Sequence, residues 1–231
     1  PTSRIEIDDR SWVWILDQSD HLWCNPDPNR PGDGFRPVQM GLQIATFRVA
    51  GQVYWIKTPD GYLCFDLKDR RLASVALPPK ITFETYLPGL EAYVLGTEQG
   101  VFKVTRDGLE DLKVPLGPED KPVKLLQAGE RLYLVTAPFP GVLLRPYRAE
   151  GLWVREKGIW RRSYLKDPDL QEAVVKHGTT WLMMATGLAR QSADGEITLF
   201  TRHQGLAGSR PSSMLRGDGE DLWIATNGGI T

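Results

Sequence analysis

Any chemistry in this chain has to come from a small set of side chains. The histidines are His21, His177 and His203. They share no i, i+2 or i, i+4 spacing through which two imidazoles could grip one ion, so no metal site is expected. The stretch NPDPNRPGDG (25–34) offers Asp27, Asn29 and Asp33 as oxygen ligands for Ca²⁺, but the spacing is not that of a calcium loop, and three prolines fit a rigid turn better. The carboxylate pairs Asp8 with Asp9 and Glu119 with Asp120 sit in turn-like sequence and read as solvated. No G-x-S-x-G elbow, phosphate loop or C-x-x-C pair is present, so nucleophilic and phosphoryl-transfer chemistry have no motif. No catalytic residue and no cofactor is expected. Recognition is left. Trp160, Arg161 and Arg162 form a basic-aromatic cluster suited to stacking on a sugar or gripping an acid, though an amphipathic outer strand is the plainer reading. Arg202, His203 and Arg210 lie in loop-like sequence and are candidates for ligand contact, against the plainer reading of a solvated loop.

The composition narrows the classes. Hydrophobic residues are 41% and charged residues 25% of the 231, which suits a packed core and argues against a disordered chain. Lys plus Arg is 28 against 29 for Asp plus Glu, so there is no electrostatic footprint for nucleic acid or an anionic membrane surface. No window reaches 18 apolar residues, and Pro1 to Arg10 lacks a basic-then-apolar pattern, so this segment is expected neither to span a membrane nor to carry its own export signal. With Cys24 and Cys64 alone, neither a disulfide scaffold nor a four-cysteine zinc site can form within the chain.

The elements that must position these residues follow a repeat. VYWIKTPDGYL (53–63), AYVLGTEQGVF (92–102), TWLMMATGLAR (180–190) and DLWIATNGGIT at the end of the sequence share one plan: an apolar strand, a short polar turn, a Gly and a second apolar strand. Looser copies are VWILDQSDHLW (13–23) and LYLVTAPFPGVLL (132–144). With Trp14, Trp55, Val94, Tyr133, Trp181 and Trp223 as anchors, the spacings are 41, 39, 39, 48 and 42 residues. The long interval contains LWVREKGIWRRSYL (152–165), which reads as an extended outer strand or an inserted hairpin. Within each period, short alternating runs are separated by Pro, Gly, Asp and Asn, which gives four short strands per repeat. DPDLQEAVVKHG (167–178) is the best helix candidate, yet it falls where an innermost strand is due, and AVVKHG is assigned as strand.

Four antiparallel strands every forty or so residues predict an all-β β-propeller. A lone four-stranded blade cannot bury both faces, so face-to-face packing supplies the core, and Trp55, Trp181 and Trp223 are expected between blades. The expected blades are 1–40, 41–79, 80–117, 118–166, 167–205 and an incomplete 206–231. They make five complete blades and half a sixth of a closed propeller, for which seven blades is the expected number. Such a fragment would expose apolar blade faces. Cys24 and Cys64 fall at equivalent positions of the third strand in adjacent blades, which favours two separate buried thiols over a disulfide. Ligands of a propeller bind where its loops converge at the channel mouth, which adds Asp17, Glu98, Gln99 and Asn227 to the candidates.

The segment FTRHQGLAGSRPSSMLRGDGEDLWIATNGGIT (200–231) resembles the two-component regulator propeller repeat. The resemblance rests on Gly205 and Leu206 after an outer strand, on Asp218 and Gly219, and on the strand Leu222 to Thr226 before a Gly-rich turn. Earlier repeats keep the strand and turn but lack the Asp-Gly before them. The resemblance implies a non-catalytic sensory propeller on the periplasmic or extracellular side of a bacterial inner-membrane regulator, of which hybrid histidine kinases are a common form. It also implies an oligosaccharide or other small ligand, contact with downstream domains of the same chain, and a homodimer. A propeller enzyme, a lyase or hydrolase with histidines and carboxylates at the channel mouth, and a protein-interaction scaffold are the alternatives.

Overall fold

A computed structural model of the chain describes residues 2–8, 10–19, 21–27, 34–38, 43–50, 53–66, 71–118, 120–138, 151–163, 165, 170–192, 195–217 and 221–231. The alternating runs form strands throughout. The first sheet holds β1 (Thr2–Ile7), β2 (Val13–Asp17), β3 (Leu22–Asn25) and β4 (Arg36–Val38) in that order. The second holds β5 (Thr46–Ala50), β6 (Val53–Thr58), β7 (Gly61–Asp66) and β8 (Arg71–Ala76). The third holds β9 (Ile81–Leu87), β10 (Ala92–Thr97), β11 (Gly100–Thr105) and β12 (Gly108–Asp111). The fourth holds β13 (Asp120–Ala128), β14 (Arg131–Pro138), β15 (Gly151–Glu156) and β16 (Ile159–Arg162). The fifth holds β17 (Leu170–Lys176), β18 (Thr179–Met184), β19 (Gly187–Gln191) and β20 (Ile197–Phe200). The sixth has three strands, β21 (Pro211–Arg216), β22 (Leu222–Thr226) and β23 (Gly229–Ile230). In every sheet the strand order is the order of the chain, as in successive hairpins. The segment with the strongest helical pattern is β17.

The chain divides into two compact units, residues 1–80 with 90–95 and 102–112, and residues 81–89 with 96–101 and 113–231. In each unit the core lies between neighbouring sheets. In the first, Leu16 and Leu22 pack against Ile44, Phe47 and Ile56. In the second, Tyr133, Val135 and Leu152 pack against Leu170, Leu182 and Met184, while Val174, Met183 and Leu188 meet Met214 and Ile224.

The repeated Thr-x-x-Gly at the second turn of the motif has a physical basis. The Thr hydroxyl donates to the Gly carbonyl from Thr58 to Gly61 (3.2 Å), Thr97 to Gly100 (3.3 Å) and Thr226 to Gly229 (2.8 Å), which closes each hairpin. Glycine is required there for a second reason. A Cβ on Gly61 would run into the Val75 carbonyl oxygen of the next strand, and one on Gly187 would lie 2.6 Å from the Phe200 oxygen. The fourth repeat keeps the pairing across a longer connection, because Thr136 donates to the oxygen of Gly151 and the two residues are register partners. Its second apolar strand is therefore β15 rather than GVLL at 141–144, which lies outside the described residues. The segment 152–165 is neither an inserted hairpin nor an elongated strand. It supplies β15 and β16 as the ordinary third and fourth strands, and the extra residues precede it.

Two expectations about side chains part ways. Trp14 pairs with Cys24 and Trp55 with Cys64 in register, and both thiols are buried and neither is in a disulfide, as equivalent third-strand positions require. Trp55 is buried and donates its indole N–H to the Glu91 carbonyl at 3.2 Å, and Trp181 packs in the core beside Phe200. Trp223 does not follow: it is 51% exposed. Its register partner is Leu215, and Ile230 pairs with Ala225 on the same face, so the sixth sheet presents an apolar face to solvent while Ile224 points into the core. In the first unit, Ile5 and Ile7 of β1 are similarly exposed on the face of the first sheet that also carries Val13 and Ile15.

Candidate functional site

Among the candidate ligand contacts, Arg202, His203 and Arg210 share one connection, residues 201–210, between the fifth and sixth sheets. Its backbone is fixed by its own sequence. Thr201 accepts from the amide of His203 at 3.3 Å, and the side chain of Gln204 returns to the amide of Thr201 at 3.0 Å. Gly205 adopts a left-handed φ of 105°, which ends the single 3₁₀ turn Arg202–Gln204. Leu206 then plugs the core against Met183, Met214 and Ile224. The Gly-Leu of the repeat motif is thus a cap followed by an anchor. At the far end, Arg210 donates its amide to Asn227 Oδ1 (3.1 Å), and the Asn227 amide returns to the Arg210 carbonyl (3.1 Å). The connection and the β22–β23 turn are therefore locked together. The side chains of Arg202, His203 and Arg210 are exposed and form no hydrogen bond or ion pair among the described residues.

The other candidates lie elsewhere. Trp160, Arg161 and Arg162 are on β16, the outer strand of the fourth sheet, paired with Arg155, Val154 and Trp153. Strand alternation puts Trp160 and Arg162 on one face and Arg161 on the other, so the three cannot close on a single ligand from one side. The side chain of Asp17 is engaged in building the β2–β3 turn. Oδ1 accepts from the amides of Ser19 (2.8 Å) and His21 (2.9 Å), and Oδ2 accepts from the indole of Trp23 (3.0 Å). The Trp23 and backbone hydrogen bonds hold its carboxyl down at about 2. Glu98 and Gln99 form the exposed β10–β11 turn. His21 lies in the β2–β3 turn, and His177, with a left-handed φ of 48°, in the β17–β18 turn. Among the described residues, no three His, Cys, Asp or Glu side chains converge as a metal site would require. Asp27 is described, and its amide donates to Asn25 Oδ1 (2.9 Å). Asn29 and Asp33 lie outside the described residues, as do Asp9, Glu119, Asp218 and Gly219.

The reading of the carboxylate pairs as solvated fails at Asp8, while Asp120 is half-buried in a turn. Asp120 Oδ2 accepts from the amide of Gly117 (3.0 Å), which closes the turn before β13. Asp8 is buried in the β1–β2 turn, at 6% exposure. Oδ1 accepts from the amides of Arg10 (2.9 Å) and Trp12 (3.0 Å). Oδ2 accepts from the Tyr54 hydroxyl, the Trp14 indole (3.1 Å) and the Arg10 guanidinium (2.9 Å). Arg10 also donates to the Tyr54 oxygen (2.7 Å) and lies over the Trp12 ring at 3.7 Å. Burial alone would raise the Asp8 carboxyl, but the donors from Tyr54, Trp14, Arg10 and Trp12 outweigh it and lower it to about 2. The same burial and the facing carboxylate push the Tyr54 hydroxyl well up, so it stays protonated as a donor. The signal in the sequence was the alternation Asp8-x-Arg10-x-Trp12-x-Trp14, which aligns a carboxylate with donors rather than with water.

In the second unit, Arg131 plays a comparable structural part. Its guanidinium donates to Glu156 Oε1 (2.8 Å) and Thr180 Oγ1 (3.3 Å), which ties the fourth sheet to the fifth. No helix among the described residues is long and apolar enough to cross a membrane.

No protein-family model matches the sequence, and no curated protein does. Solved structures do resemble it. One is the extracellular domain of BT4673 from B. thetaiotaomicron, a one-component or hybrid two-component system (12% identity, TM-score 0.51). That alignment covers 99% of this chain, which spans 37% of the length of that one. Virginiamycin B lyase from Staphylococcus aureus is 16% identical over 97% of this chain and 77% of that one, with a TM-score of 0.52. The dihydro-heme d1 dehydrogenase NirN is 10% identical over 97% and 52%, with a TM-score of 0.61. At such identities the likeness concerns architecture alone, and together with the six sequential antiparallel sheets it shows that this chain has the β-propeller fold.

Proposed function

We propose that this propeller is an extracytoplasmic recognition segment of a membrane-bound two-component regulator, binding a ligand without turning it over and passing the event to other domains of its chain. The observation that carries the reading is the 201–210 connection. Its backbone is pinned at both ends by Thr201, Gln204 and Asn227, while two guanidinium groups and an imidazole project from it unengaged among the described residues. A rigid backbone with free cationic donors is preorganised for an anionic group, because little ordering entropy remains to be lost on binding. An acidic oligosaccharide or a small organic acid fits that chemistry. The resemblance of residues 200–231 to the regulator repeat and the fold shared with the extracellular domain of BT4673 support the cellular placement. Downstream domains of the same chain, and a second copy of it, are the partners this reading entails.

The placement has a direct test. Alkaline phosphatase fused after Thr231 within the gene's own full-length product is expected to be active, since that enzyme matures only outside the cytoplasm, and the matching β-galactosidase fusion is expected to be inactive. The opposite pattern would contradict an extracytoplasmic site.

A further inference from the structure

The first unit contains a cavity of about 370 Å³ between its first and second sheets. Trp12 and Trp14 line it from one side, and Phe47, Ile56 and Phe65 from the other. Leu72, 58% exposed, stands at its rim. The volume falls in the range of small-molecule pockets. The walls are almost wholly apolar. Arg10 and Tyr54 are among the lining residues, but the Tyr54 hydroxyl and the Arg10 guanidinium are turned to Asp8 and to each other, and almost no polar surface faces the space. Arg10 spends Nε and Nη2 on Asp8 and Tyr54, and its Nη1 makes no hydrogen bond among the described residues. The Arg10–Asp8 pair is neutral overall and held rigid, with Trp12 stacked beneath the guanidinium.

We propose that this cavity binds a small apolar molecule of one or two rings, seated between the two sheets. The walls select against sugars. Each hydroxyl of a saccharide would lose water without gaining a partner, whereas aromatic rings would replace water along Trp14, Phe47 and Phe65. The site is separate from the 201–210 connection and does not depend on the sensory reading.

The test uses toluene, a single apolar ring, titrated into the intact protein by calorimetry, with cellobiose as the saccharide comparison. Saturable one-to-one binding of toluene is expected, with no competition from cellobiose. The rim variant Leu72→Trp, which fills the cavity from a solvent-exposed position, is expected to weaken binding by about tenfold or more. Trp223→Thr, on the exposed apolar face of the sixth sheet, is expected to leave it unchanged. In NMR spectra of the unsubstituted protein, the indole N–H signals of Trp12 and Trp14 are expected to shift on titration while that of Trp223 stays in place, a readout that does not depend on any variant folding. Absence of saturable binding up to roughly 1 mM, undiminished affinity in folded Leu72→Trp, competition by cellobiose, or shifts confined to Trp223 would each overturn the proposal.

Discussion

Replacing Asp8 with Asn is expected to destabilise the protein by about 2 kcal/mol at pH 7, and the loss should vanish as the solution is acidified. Asp8 is lowered from 3.8 to about 2 in the folded protein. A group whose folded value is depressed contributes stability that is fully present above its unfolded value and disappears as pH falls through its folded value. The window is therefore from about pH 4 down to about pH 2, and the shift corresponds to about 2 kcal/mol. Asp8→Ala should cost more, about 3 kcal/mol, because it leaves the Tyr54 hydroxyl, the Trp14 indole and one edge of Arg10 facing an empty site. Urea unfolding of the unsubstituted and Asn proteins at pH 7, 4 and 2.5 measures the difference directly. A gap that stays constant across that range would show that the carboxylate charge is not what holds the β1–β2 turn to Tyr54 of the second sheet.

Gly61→Ala should be at least as damaging, although it adds one methyl group. Its Cβ would overlap the Val75 carbonyl, a backbone atom in β8 that cannot swing aside, so the β7–β8 pairing must shift. Overpacking of this kind costs roughly 1–3 kcal/mol, and loss of alignment in a four-stranded sheet places this position near the top of that range. Gly187→Ala repeats the experiment in the second unit, where the Phe200 oxygen lies 2.6 Å from the added carbon. Gly158→Ala is the contrast. Its φ is 82° but nothing lies within 4 Å of the added carbon, so only backbone strain remains, about 1 kcal/mol. Thermal unfolding should rank Gly61→Ala and Gly187→Ala well below Gly158→Ala, by several degrees. Equal melting temperatures for all three would mean that the glycines serve turn geometry alone and not the close approach of the outer strand.

The same two residues show what could be read from the sequence and what could not. Glycine after Thr-x-x recurs at fixed spacing, so the hairpins, the antiparallel sheets and the equivalence of Cys24 with Cys64 followed from periodicity. The period of the repeat, which places an innermost strand at 167–178, also told β17 from a helix. The spacing argument failed where a contact joins residues remote in sequence. Asp8 looks like one of many turn carboxylates until Tyr54, forty-six residues later, is brought onto it. Trp223 occupies the same motif position as Trp55, yet burial depends on whether a neighbouring sheet covers its face, and the motif carries no information about that. The fourth repeat misled for a local reason: GVLL is a good strand sequence, but the strand that pairs with β14 is the one that begins with Gly151 beneath Thr136. At the candidate site, the motif named Gly205 and Leu206, and the structure explains them as a cap and an anchor. It also separates Arg161 from Trp160 and Arg162 by strand alternation, which the sequence cluster had joined.

The claim that matters most is that Arg202 and Arg210 recognise a ligand that leaves unchanged. The most direct measurement is the melting temperature of the protein and of Arg202→Ala/Arg210→Ala across a panel of acidic oligosaccharides and small organic acids, with each ligand recovered and checked for modification. The account predicts that at least one acid raises the melting temperature, that the double substitution abolishes this rise while leaving the unliganded value within about 1 °C, since both side chains are exposed and unengaged among the described residues, and that the ligand is recovered intact. A rise that survives the double substitution, a chemically altered ligand, or no rise with any acid would contradict it.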